Sequence, residues 1–415
     1  MKTSRYASTR QKACHHCSNA KAKCDRKLRC TRESTEQHDA TMNNAEPHSP
    51  ISVPDALTPG LERELQTGFY ATGSQPGLAS PVRTVPSEII QNPPTIFSPG
   101  DKGHIPSEPG SLSFSDLDLL CPINVDGITT RWMNPYIPDP GQKIKYYPDN
   151  VMTFIARILK SYTAIATRRN DILPFIHWAQ MKEHLSSSPL TTCLSLIRMC
   201  QNPLPGSEST ASMIIQREME GIMDLHKSFD HLSLLAAFQA YLIYTMVLFF
   251  RLGQTPNNGT GLRQAMINLQ ELAHASSRHG IVCTADQHRA RPRWEEWIVT
   301  EAKRRTLYVM YLFDSLLSTQ ERLPTYLGTE LEGLPAPSNK FLWRAESRGD
   351  WERRYNVYLA EWIDRGLAID ELWPFPPGLD EPGICKRRER VDRWLEDIDE
   401  FGTMLYAVVS CTHGG

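Results

Sequence analysis

From about residue 146 onward, apolar residues recur at helical spacing, a regularity the chain before that point lacks. Val151, Phe154, Ile155, Ile158, Leu159 and Tyr162 share one face of a 3.6-residue period, and Pro148-Asp149-Asn150 ahead of them is a helix-start signal. Met213 to His226 alternates apolar and charged residues in the same period, and Leu232 to Leu252 is apolar almost all round, with Gln239 as its main interruption. The run from Leu234 to Phe250 approaches membrane-spanning length, but it is short, carries Gln239 and has no partner span. It is expected to be the buried central helix of a globular core, not a membrane segment. A later helix begins near Arg293. Trp294, Trp297, Ile298, Leu307, Tyr308, Tyr311, Leu312 and Leu316 form its apolar face, and Glu301 stands four residues before Arg305, a favourable pair. The basic triplet Lys303-Arg304-Arg305 on this helix is read as the solvated side. Pro335, Pro337 and Pro374-Phe375-Pro376-Pro377-Gly378 divide the remainder into shorter helices. No stretch alternates like a strand with hairpin turns, and no internal repeat is visible. The fold class expected is mainly α, with a large all-helical domain over 146–410.

Composition changes sharply ahead of that domain. Residues 33–145 are rich in Pro, Ser, Gly and Thr, which cannot bury enough apolar surface to offset chain entropy, so a disordered linker is expected there. Within it, Phe114, Leu117, Leu119 and Leu120 among Ser and Asp form a weak candidate for an activation or docking segment. Leu57, Leu61 and Leu65 give a brief heptad hint of dimerisation, cut off by Gly68.

Charge and cysteine distribution redirect attention to the first residues. The formal net charge of −2 conceals a basic arm: residues 1–32 carry Lys2, Arg5, Arg10, Lys12, Lys21, Lys23, Arg26, Lys27, Arg29 and Arg32 against the single acid Asp25. A basic arm on an acidic chain points to a polyanionic partner. Four of the ten cysteines, Cys14, Cys17, Cys24 and Cys30, fall in this arm with the spacing C-x2-C-x6-C-x5-C. With no apolar secretory leader ahead of them, clustered cysteines are read as metal ligands and not disulfides. Four thiolates match the tetrahedral, sulfur-rich preference of structural zinc, and a segment this small would take its folding energy from the metal. The spacer Ser18-Asn19-Ala20-Lys21-Ala22-Lys23 favours a short helix that aims Lys21 and Lys23 together. A small metal-stabilised module is therefore expected over residues 10–32. Cys121, Cys193, Cys200, Cys283, Cys385 and Cys411 lack ligand spacing and are read as core hydrophobes or incidental thiols.

The spacing and its lysines resemble the fungal zinc binuclear cluster (Zn2Cys6) regulators, in which six cysteines hold two zinc ions and a helix between the second and third ligands enters the DNA major groove. The resemblance carries Cys14, Cys17, Cys24 and Cys30 onto the first four ligand positions and Lys21 onto the lysine that reads base edges, commonly in CGG-type half-sites. Lys23 falls beside it, and Arg26, Lys27 and Arg29 supply further DNA contacts, mainly to phosphate. The sequence departs from the pattern at Glu33, where a fifth cysteine is expected, and no sixth follows. What remains is the set around the first zinc, enough for one four-thiolate site. Glu33 and His38 are weak substitutes as second-site ligands. Ser18 and Ala20 stand where many members place Arg or Lys, which should weaken phosphate contacts. His15 and His16 in the ligand loop are read as solvent-facing. The abrupt change at Arg32 looks like a mis-joined exon, and the last helix is expected to be incomplete at Gly415.

The body resembles the helical regulatory region of the same regulators. The residues concerned are Leu173-Pro174-Phe175-Ile176-His177, Pro189-Leu190 with Cys193-Leu194-Ser195, the Trp294 to Leu317 helix, and Leu334-Pro335-Ala336-Pro337 with Leu342-Trp343. The resemblance implies a nuclear, zinc-dependent, sequence-specific DNA-binding regulator of RNA polymerase II transcription. Its partners would be double-stranded DNA, the transcription machinery and, in many members, a second copy of the chain. A pathway-specific role for a biosynthetic gene cluster is consistent with it. The alternative is a helical interaction protein that has lost DNA binding with its fifth and sixth cysteines. An enzyme is not expected: there is no phosphate loop, nucleophile elbow or His-Glu metal pair, and His177, His226, His231 and His274 are isolated.

Overall fold

The computed structural model describes residues 112–138, 142–168, 171–182, 188–202, 206–252 and 259–413. The cysteine module over 10–32 and most of the expected linker lie outside these residues.

The described residues are mainly helical. Around the sequence-apolar run, helix α6 (His231–Phe250) forms with Asp230 as its cap, whose carboxylate accepts the Ser233 amide at 2.7 Å. It is packed by α2 (Asp149–Thr167), α4 (Pro189–Met199), α5 (Glu208–Leu225), α7 (Gly259–Arg278) and α9 (Trp294–Gln320). Surrounded on all sides, α6 needs no polar face, and 83% of its most apolar window is buried within the protein. Its one interrupting polar residue is accommodated. The Gln239 side-chain amide donates to the Phe175 carbonyl at 2.9 Å, and its oxygen accepts from Gln180 at 3.2 Å.

Helix α2 starts at Asp149 behind Pro148, and α9 starts behind Arg293, as the sequence signals predict. The α9 entry is fixed by Glu296, whose carboxylate accepts the Arg293 amide at 3.0 Å and its guanidinium at 2.7 Å. Past α9 the chain breaks into α10 (Lys340–Trp343), α11 (Arg348–Glu361), α12 (Glu381–Asp397) and α13 (Glu400–His413). Asn339, Ser347 and Asp380 cap the first three through their side chains. Two cores result. The larger surrounds α6, and a smaller aromatic one gathers Trp294, Trp297, Trp343, Trp351 and Tyr355.

Two features depart from the sequence reading. Short strands occur: β1 (Leu119–Leu120) pairs antiparallel with β3 (Val282–Cys283), and β2 (Ile144–Lys145) with β4 (Thr325–Tyr326). The described residues up to 145 therefore belong to the folded body, and for them the linker expectation is corrected. The reason is apolar. Leu112, Phe114, Leu117 and Leu119 pack on the aromatic core, Leu120 packs on the larger one, and a short helix α1 (Asp126–Thr130) buries Ile128. The residues proposed as a docking segment are thus engaged within the chain. Gly280 (φ +90°) makes the β1–β3 pairing geometrically feasible, because a Cβ there would stand 2.3 Å from that of Leu119.

Candidate functional site

Cys14, Cys17, Cys24 and Cys30, with Lys21, Lys23, Arg26, Lys27 and Arg29, lie outside the described residues, as do Glu33 and His38. Among the described residues no group of three or more His, Cys, Asp or Glu is arranged to hold a metal ion. Of the remaining cysteines, Cys193 and Cys283 are buried, Cys121 and Cys200 half-buried, and Cys385 and Cys411 exposed. The chemistry that the described residues do bring together lies along α9.

The basic triplet on that helix is buried, which corrects its reading as a solvated face. The flanking turns carry Ile298, Val299, Ala302, Leu307 and Val309, all buried, so this stretch of the helix has no free side. Three different arrangements accommodate the cations. Lys303 Nζ donates to the carbonyls of Ser276 and Gly280 at 2.9 and 2.8 Å, closing the C-terminal end of α7. Burial lowers its pKa to about 7. A neutral amine has two N–H groups, which matches the two carbonyls. Arg304 donates to Glu301 Oε2 at 2.7 Å and to the Ile281 carbonyl at 2.8 Å. Arg305 donates to Glu301 Oε1 at 2.7 Å and to Asp399 Oδ2 at 2.5 Å. Its guanidinium carbon also stands 4.1 Å from the Trp343 ring centre. Burial alone would push Glu301 up; the two arginines outweigh it and hold the carboxyl below its usual range. The Glu301–Arg305 pair expected from the sequence is therefore present, but in the interior. A second buried arginine, Arg131, pairs with Asp314 at 3.0 Å and Glu330 at 2.9 Å, and ties the segment before α2 to the far end of α9.

His177 is the most enclosed of the isolated histidines. Its ring lies between Trp178, Trp294, Trp297 and Trp343, with centroids 4.9 to 6.4 Å away. Burial, reinforced by the charge of Arg305, lowers its pKa to about 3, so it is neutral at physiological pH. His226 stands 3.3 Å from Glu271 and His274 3.4 Å from Asp126. His231 stacks edge-on against His279.

One face of α9 opens on a cavity of about 760 Å³. It is lined by Trp297 and Arg304 of α9, Tyr355 and Tyr358 of α11, Trp362 just past that helix, the Gly333–Asn339 loop and Trp394 of α12. The loop is held by paired backbone bonds: the Ala336 amide donates to the Leu367 carbonyl and the Ile369 amide to the Leu334 carbonyl, each at 2.8 Å. Asp286 stands on the cavity wall, its carboxylate accepting the Tyr355 hydroxyl at 2.5 Å. Burial raises the Asp286 pKa against the lowering influence of that hydroxyl and of Arg304. Tyr358 packs closely on Gly366: a Cβ there would lie 2.0 Å from the tyrosine oxygen, so a larger residue would require the tyrosine to shift.

No protein-family model, curated protein or solved structure matches the chain. Sequence reasoning missed this cavity because Asp286, Tyr355, Tyr358 and Arg304 have no shared spacing. The only advance signal was the density of tryptophan and tyrosine after Trp294.

Proposed function

We propose that the protein is a zinc-dependent, sequence-specific DNA-binding transcription regulator, with its N-terminal arm as the DNA contact and its helical body as the regulatory part. The observation that carries the reading is Cys14-x2-Cys17-x6-Cys24-x5-Cys30 with Lys21 and Lys23 inside the six-residue spacer. The donor set fits zinc: four thiolates are soft, anionic and sufficient to close one tetrahedral site. Lys21 then reads a guanine edge, while Lys23, Arg26, Lys27 and Arg29 neutralise phosphate. A mainly helical body downstream is compatible with the regulatory region of the zinc-cluster regulators. Nuclear location and regulation of RNA polymerase II transcription, with one biosynthetic pathway as the target, belong to the same proposal.

A second reading is favoured by one residue. Glu33 occupies the place of the fifth cysteine, so the protein acts through its helical body alone if the remaining four cysteines do not close a site. Purified full-length chain distinguishes the two. Bound zinc together with salt-dependent preference for a CGG-containing duplex supports the regulator; chain with neither supports the interaction protein.

A further inference from the structure

The cavity beside α9 has the size of a small-molecule site, lined by aromatic and apolar side chains together with charged residues of both signs. Trp297, Tyr355, Tyr358 and Trp362 supply aromatic rings to its lining, and aromatic rings attract cations through their quadrupoles, as the Arg390 guanidinium 5.2 Å from the Trp362 ring centre illustrates. Arg304 is paired with Glu301, which it shares with Arg305. Asp286, by contrast, has the Tyr355 hydroxyl as a neutral donor and no ion-pair partner among the described residues. The rim carries exposed charges of both signs: Arg365 stands 4.0 Å from Glu371, while Arg289 and Arg393 have no carboxylate partner within 4 Å among the described residues and lie exposed. Of the lining charges without an ion pair among the described residues, Asp286 is the one that is not exposed, and Tyr355 and Tyr358 line the same cavity.

We propose that this cavity is a binding site for a small organic amine: a flat or apolar body seated between α11 and the Gly333–Asn339 loop, with its ammonium on Asp286. The Tyr358 hydroxyl makes no hydrogen bond to another described residue and is available to a polar substituent on the ligand. Gly366 leaves room for that hydroxyl, because a larger residue would require the tyrosine to shift. The amine supplies the positive partner that Asp286 lacks, and the rings supply apolar burial with cation–π attraction. The site is built from the helical body alone, so the proposal holds or fails independently of zinc and DNA binding at the N-terminus.

The test is a titration of the full-length chain with dansylcadaverine, a primary alkylamine carrying an aromatic dansyl group, read by energy transfer from tryptophan. Saturable binding is expected, and the matched carboxylate, dansyl-6-aminohexanoate, should bind about tenfold more weakly or less. Asp286→Asn is expected to weaken amine binding by about tenfold without weakening the carboxylate probe. Leu359→Trp keeps Asp286 and fills the cavity from α11. It should abolish binding of the amine, and it serves as the second variant should Asp286→Asn fail to fold. The absence of saturable binding, equal affinity for the two probes, or wild-type amine affinity in either folded variant would overturn the proposal.

Discussion

Lys303, Arg304 and Arg305 follow one another on a single turn, yet each meets a separate environment: two helix-end carbonyls, half of a shared carboxylate, and a carboxylate pair capped by an indole. Removing a partner from a buried ion pair costs far more than the pair itself contributes, because an uncompensated charge stays behind. Glu301→Gln is therefore expected to destabilise the fold by about 3 kcal/mol, seen as a lower denaturant midpoint at pH 7. Lys303 gives a pH signature. Its folded pKa is about 7, below the ordinary lysine value of 10.5, so the unfolded chain binds more protons between those limits and stability contributed by this residue rises with pH. Comparing the wild type with Lys303→Met by denaturant unfolding at pH 6 and pH 9 isolates the effect. The wild type should gain on the variant at the higher pH; a constant difference would refute it. His177 works at the acid end. With its folded pKa near 3 against 6.5 unfolded, its contribution is complete above about pH 6.5 and is lost as pH falls toward 3.

Among the elements, the long helices were legible from the sequence and the short strands were not. Helices α2 and α9 announce themselves through periodic apolar positions with starts read at Pro148 and Arg293, and α6 through a long run that is apolar almost all round. A two-residue strand has no period to detect, and β1 is recognisable only once β3 lies beside it, more than a hundred and fifty residues further on. The burial of the basic triplet was hidden for a similar reason. Glu301 is visible on the same helix, but Asp399 is 94 residues from Arg305 and the carbonyls that receive Lys303 come from the end of α7. The cavity, assembled from α8 (Thr284–Gln287), α9, α11 and α12, left no trace beyond the density of tryptophan and tyrosine after Trp294. At this scale Gly280→Ala is the informative change. A Cβ at φ +90° that also meets Leu119 should cost roughly 1–3 kcal/mol. It should also speed hydrogen exchange at the Ile281 amide, which donates to the Leu120 carbonyl at 2.9 Å. Unchanged exchange there would show that the β1–β3 pairing does not depend on the glycine.

At the scale of the whole molecule, charge and chemistry are divided along the chain. On the proposed reading the basic, cysteine-bearing arm supplies metal and polyanion chemistry; the helical body pairs buried cations internally, as Arg131, Arg304 and Arg305 show. On that reading the arm alone contacts DNA. Lys21→Ala should then reduce discrimination for a CGG duplex by about 1–3 kcal/mol, whereas Arg26→Ala should weaken all duplexes alike and flatten the salt slope by about one unit. Electrophoretic binding across a salt series separates these outcomes. The most direct measurement of the central proposal is zinc content per full-length chain, taken together with CGG-duplex affinity before and after Cys14→Ser. The proposal predicts about one zinc per chain and salt-dependent duplex binding, both lost in the variant. Metal-free chain, or duplex binding unchanged by Cys14→Ser, would contradict it.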